Sequence, residues 1–160
     1  NNFSISLWTK INPTQATGQN YHALIDCKNA PAAAAGFGLV WNNSVNKFLW
    51  STGDGSNASE IFSQNTWTSI LNQWTHVVMV RQAGATNNGY FYINGKYEPL
   101  SSSAAVLNVN TATPLRVGNL SDLNPPYFFT GQIDDVRIYN YALTSEQIKQ
   151  IYNGGAVNFN

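Results

Sequence analysis

The chain has a single cysteine, Cys27, among 160 residues. That excludes an internal disulfide, and one thiolate alone does not make a metal site. Charge is equally scarce, with 8 basic and 8 acidic residues and a formal net charge of zero. A phosphate backbone needs clustered Lys and Arg, so nucleic acid is excluded as the main partner. No run approaches the 18 apolar residues of a membrane-spanning helix. No secretory leader pattern is present, as expected for a mature product or an excised domain. Internal repeats, low-complexity tracts and a Gly-rich phosphate loop are absent from the sequence.

Amides, hydroxyls and aromatic rings take the place of charge. Aromatics reach 13%, and this composition is common in secreted and cell-surface β-proteins. The length fits one domain, 1–160, able to bury roughly 68–70% of its unfolded surface. Four Asn-x-Ser sequons start at Asn2, Asn42, Asn57 and Asn119. In an Asn-rich chain they are expected to be chance matches.

The chain reads as many short strands followed by one helix. In FSISLWTKI, Phe3, Ile5, Leu7, Thr9 and Ile11 share one face, and Ser4, Ser6, Trp8 and Lys10 share a more polar one. HALIDCK is a short strand, with His22 expected to be exposed at its start. NAPAAAAG is bracketed by Pro31 and Gly36 and reads as a loop. GFGLVWNNSVNKFLWST gives two strands around a turn at residues 42–46. WTHVVMVRQ is apolar on both faces, the pattern of a central strand covered on each side. Asn94-Gly95 marks a tight hairpin inside YFYINGKYEPL. TPLRVGN is a further short strand, LSDLNPPYFF a loop, and GQIDDVRIYN the last long strand. Thr144 and Gln147 then form a capping box, Leu143 and Ile148 a hydrophobic staple, and Gly154 a stop. Such an order predicts an all-β, antiparallel two-sheet jelly-roll sandwich with one short C-terminal helix.

Strict alternation puts Asp134 with Val136 and Ile138 on a core face, and Asp135 with Arg137 on the other, where they form an ion pair. A buried Asp134 must accept backbone N–H groups or bind a cation such as calcium. Two adjacent carboxylates on opposite faces do not work on one bond, and Glu60, Glu98 and Glu146 are isolated. No enzyme is therefore expected. Asp54 in GDGSNASE lacks the spacing of a calcium loop.

Parity yields a candidate ligand surface instead. Trp8 lies on the polar face of its strand, Trp74 and His76 share one face of theirs, and Tyr90 and Tyr92 lie opposite the core pair Phe91 and Ile93. If those faces coincide, they form an aromatic stripe for sugar rings, or else a second small core. Tyr127 and Phe128, after two prolines, are candidates for a loop contact. Trp41, Trp50 and Trp67 fit the core equally well.

The segments FSISLWTKI, WTHVVMV, YFYINGK and, above all, FTGQIDDVRIYNYALTSEQIKQIYNGG resemble the laminin G-like family of concanavalin A-type domains. The resemblance runs through most of the chain in order. It implies a β-jelly-roll with a concave face, acting as an extracellular or cell-surface module for glycans or surface proteins. It also implies a structural or ligand-bridging calcium, since the aspartate matching Asp134 is a recurrent ligand there. The expected function is carbohydrate binding without catalysis, with adhesion through protein contacts as the alternative. Family domains usually carry a strand before the one matching FSISLW, with residues that complete the calcium site. A domain 1–160 excised from a larger surface protein, lacking that strand, is expected, with the alternating tail AVNFN as the segment to pair at that edge.

Overall fold

A computed structural model of the chain describes residues 2–14, 20–28, 35–84, 88–101, 106–107, 109, 113–120 and 127–155. Two five-stranded antiparallel sheets face each other. The first has the order β12-β1-β6-β7-β8, built from β1 (Phe3–Ile11), β6 (Trp74–Gln82), β7 (Asn88–Ile93), β8 (Lys96–Glu98) and β12 (Gly131–Tyr139). The second has the order β5-β4-β3-β2-β9, from β2 (Tyr21–Asp26), β3 (Gly36–Asn42), β4 (Lys47–Gly53), β5 (Ala58–Phe62) and β9 (Arg116–Val117). A small pair, β10 (Asn119–Leu120) and β11 (Tyr127–Phe128), lies beside β2, and helix α1 (Ser145–Gly155) closes the chain. The expected two-sheet sandwich with one C-terminal helix is the observed fold.

The core forms where the inward apolar faces meet. Ile5, Leu7 and Ile11 of β1, Val77 and Met79 of β6, and Phe91 and Ile93 of β7 pack against Leu24, Leu39, Trp41, Phe48, Trp50 and Ile61 of the second sheet. Both faces of β6 are buried, as its two-sided apolar pattern predicts. The β7–β8 hairpin turns at Asn94 (φ 50°) and Gly95 (φ 73°), the left-handed pair of a type I′ turn. The α1 capping box also forms. Gln147 Oε1 accepts the Thr144 N–H at 2.9 Å, and Thr144 Oγ1 accepts the Gln147 N–H at 3.3 Å.

Five expectations are corrected. Strand β5 is present where no strand was expected, because Ser59 and Glu60 carry no apolar alternation. Leu120, Tyr127 and Phe128 pair in β10 and β11 rather than forming an open loop. His22 is buried, with its Nδ1 3.1 Å from the Phe128 carbonyl. Helix α1 passes Gly154 and ends at Gly155. The most consequential correction lies in β12. Between the pairs Ser6–Arg137 and Trp8–Asp134, two β12 residues oppose one β1 residue, and Asp135 takes φ 48°. This β-bulge shifts the side-chain parity by one. Asp134 therefore lies on the outer face opposite Trp8, exposed, while Ile133 and Val136 turn to the core. The 29–34 part of NAPAAAAG and the tail 156–160 lie outside the described residues.

Candidate functional site

The aromatic faces that parity left as a stripe or a second small core coincide on the outer face of the first sheet. Cross-strand partners share a face, and the register sets Trp8 opposite His76, Val78 opposite Tyr92, Val80 opposite Tyr90, and Tyr92 opposite Tyr97. Trp74 begins the same row and is half-buried. The stripe is not uniformly open, because α1 packs across part of it.

Tyr152 of α1 stacks on Trp8, with ring centroids 5.7 Å apart and 19° between planes. His76 stands against both rings, at 5.2 Å from Trp8 and 5.9 Å from Tyr152. Ser4, Ser6 and His76 are buried in consequence, although alternation alone made Ser4, Ser6 and Trp8 a polar face. Val78, Val80, Leu143 and Ile148 form a second core beside this stack, flanked by Tyr90, Tyr92, Tyr139 and Ile151. Trp8 and His76 thus seat the helix and are covered by it. His76 Nε2 lies 2.8 Å from Ser6 Oγ. Burial pushes the imidazole down to about 4, opposed in part by the Asp135 carboxylate, so it stays neutral at physiological pH.

Beyond the N-terminus of α1 the stripe opens. Tyr90, Tyr92 and Tyr97 stand side by side, the last 6.4 Å from Tyr90 and 5.8 Å from Tyr92, and 55% exposed. A cavity of ≈ 250 Å³ lies next to them, walled by Val80, Tyr90, Tyr92 and Leu143 with Gln82, Thr144 and Ser145 as its polar groups. Burial and the neighbouring Tyr97 raise the Tyr92 phenol, so its hydroxyl remains a neutral donor. Tyr97 was missed in the sequence because its strand is three residues long and shows no alternation to read.

A groove of ≈ 830 Å³ runs along the end of β12, between the two sheets. Phe3 and Phe37 form its floor, with centroids 5.3 Å apart. Ile138, Tyr139 and Tyr141 form one wall, and the Asn2 and Asn140 amides lie along it. Ile138 and Tyr141 are 53% and 45% exposed. This assembly draws on three strands far apart in sequence and was not foreseen. Tyr127 belongs to β11, and its side chain lies outside the described residues.

The acidic pair is accounted for at the surface. Asp134 Oδ1 accepts the Asp135 N–H at 2.7 Å, and Arg137 Nε donates to Asp135 Oδ1 at 2.7 Å, forming the expected ion pair. With both side chains well exposed, it contributes at most about 1 kcal/mol. Among the described residues no group of three or more His, Cys, Asp or Glu side chains is placed to hold a metal. A calcium cage needs six to eight oxygens, and Asp134 brings one exposed carboxylate whose Oδ1 already accepts the Asp135 N–H. Asp54 is spent on its own turn, accepting the N–H groups of Ser56 and Asn57.

Two facing antiparallel sheets with one face partly capped by a helix define a jelly-roll sandwich. The family model of the concanavalin A-like lectin/glucanases superfamily, laminin G type, matches residues 1–149. The chain belongs to this family. It is 29% identical over 157 residues to adhesion G-protein coupled receptor V1 of Danio rerio, covering 95% of this chain and 2% of that protein. Among solved structures, it is similar in fold to the botulinum neurotoxin type G receptor binding domain (TM-score 0.66, 17% identity, 96% of this chain and 38% of that one). The serotype D binding domain is similar as well (TM-score 0.68, 18% identity, 98% and 38%). No helix among the described residues is long and apolar enough to cross a membrane.

Proposed function

We propose that the domain is a non-catalytic extracellular binding module whose ligand is a carbohydrate, held on the Tyr90–Tyr92–Tyr97 surface. The observation that carries this is the open end of the stripe, where Tyr90 and Tyr92 line a cavity with no charged lining residue and a third phenol ring, Tyr97, stands beside them. Tyr offers an apolar face for sugar C–H groups and a hydroxyl for sugar oxygens. Gln82, Thr144 and Ser145 supply further donors and acceptors at the rim. Apolar ring faces beside convergent polar groups are common elements of a small-ligand site, and the cavity combines the two. Similarity to a cell-surface adhesion receptor of zebrafish supports an extracellular setting.

The test is a broad glycan array with the wild type, Tyr97→Ala and Tyr90→Ala. The wild type binds a restricted set of glycans, and each variant loses about tenfold or more in affinity. A blank array at high protein concentration contradicts the proposal. A protein-contact role is the second reading, favoured by Leu115, Val117 and Phe128, which are 41%, 50% and 56% exposed on and beside β9 and β11. It requires that Phe128→Ser abolish partner capture while Tyr97→Ala leaves it intact.

A further inference from the structure

The groove and the tyrosine cavity share one seam of chain. Residues 138–141 line the groove, and residues 142–145 line the cavity. Tyr141 and Ser145 are four positions apart, so at most about 14 Å of backbone separates the two linings. Tyr139 joins them directly. It lines the groove and also packs in the cluster that holds Tyr90, Tyr92 and Leu143. Its ring meets Tyr141 edge-on, with centroids 5.6 Å apart.

The seam is held firmly. Buried Ser4 donates its hydroxyl to the Tyr141 carbonyl at 2.9 Å and accepts the Leu143 N–H at 2.9 Å. One side chain thus fixes the ridge between the two cavities from beneath, and the capping box fixes it again at Thr144. Preorganisation of this kind lowers the ordering cost of binding. Neither lining contains a charged residue, and both combine tyrosine rings with amide or hydroxyl groups.

We infer that the groove and the tyrosine cavity are two subsites of one track, which takes an uncharged linear oligosaccharide long enough to cross the Tyr139–Ser145 ridge. This rests on the carbohydrate reading above. The cavity holds one end of the bound stretch against Tyr90 and Tyr92, with the exposed Tyr97 ring beside them. The groove holds the other against Tyr141 and Ile138, with Asn2 and Asn140 for its hydroxyls. Asn2 Oδ1 already accepts the Ala83 N–H at 2.7 Å, so it is the Nδ2 end that serves a sugar oxygen. A ligand carrying uronic acids or sulfates finds no countercharge in either lining.

The experiment is calorimetric titration with mono- to hexasaccharides of neutral glucan, mannan and galactan series, and with a sulfated galactan series. In one neutral series, affinity rises about tenfold or more between the disaccharide and the tetrasaccharide. Tyr141→Ala and Asn140→Ala remove that gain and leave the disaccharide affinity unchanged, whereas Tyr97→Ala weakens every length. Thermal unfolding of each variant confirms the fold, since Tyr141 and Asn140 are exposed. Length-independent affinity, or a gain that Tyr141→Ala does not touch, overturns the track and leaves the carbohydrate proposal standing. Tighter binding of the sulfated series overturns the uncharged class. Failure of every series to bind overturns the track together with the carbohydrate proposal.

Discussion

Tyr152 of the C-terminal helix lies flat on Trp8 of the first strand, 5.7 Å from ring to ring. These residues are 144 positions apart, and their stack decides which part of the sheet is left for a ligand. Gly95 lies directly beneath, where an added Cβ would come within 3.0 Å of the Tyr152 ring. Tyr152→Ala is expected to cost about 2 kcal/mol, less than a fully buried aromatic because the ring is half-buried. Urea denaturation measures this. Glycan affinity, read on the folded variant, should be unchanged, because the open tyrosines lie beyond the helix.

Acid should weaken the same region through His76. Its ordinary value near 6.5 is lowered to about 4 in the folded chain, chiefly by burial. The unfolded chain therefore takes up the proton first. Stability is fully present above about pH 6.5 and declines as the pH falls towards 4, by up to roughly 3 kcal/mol. Among the described residues, Nδ1 has no hydrogen-bond acceptor to receive a second ring proton. His76→Phe keeps the ring packing, so its stability profile should lack this segment. Parallel profiles for wild type and variant would show that His76 does not titrate there.

Ser4 should matter more than its size implies. Ser4→Ala leaves a buried Leu143 N–H and the Tyr141 carbonyl without their partner, a loss of about 1–3 kcal/mol. Oligosaccharide affinity should fall with it, since the ridge loosens. Amide exchange at Leu143 gives a direct readout and should accelerate.

Calcium should shift the melting temperature by less than about 2 °C, because Asp134 stands exposed and, among the described residues, no group of three or more His, Cys, Asp or Glu side chains is placed to hold an ion. Asp134→Asn should behave like the wild type in calcium and in chelator. A rise of several degrees that disappears in Asp134→Asn would instead establish a metal site, with its other oxygens supplied by backbone carbonyls or by residues outside the described set.

Local chemistry carried most of the legible information. Asn94-Gly95, the Thr144–Gln147 box and the two-sided apolar β6 each state their own structure, and all three form as read. Parity grouped the aromatics within each strand, and the register then shows that the faces of Trp8, His76, Tyr90 and Tyr92 coincide. Parity failed at Asp135, where one left-handed residue inserts a bulge and turns Asp134 outward. Asp tolerates that conformation better than most residues, but the sequence gives no sign that it is used there. Tertiary cover was hidden for a related reason. The small Ser4 and Ser6 look like solvent-facing residues, yet they leave room for α1 to settle on Val78, Val80 and Trp8. Groove residues Phe3, Phe37 and Tyr141 meet only once the strands are ordered in space.

The most direct measurement is a two-dimensional NMR titration of the labelled domain with a neutral oligosaccharide that binds on the array. Shifts should concentrate at Gln82, Tyr90, Tyr92, Tyr97 and residues 142–145, and extend to 138–141 with longer chains. Shifts confined to β9 and β11, around Val117 and Phe128, would place the ligand at the edge of the second sheet and contradict the account.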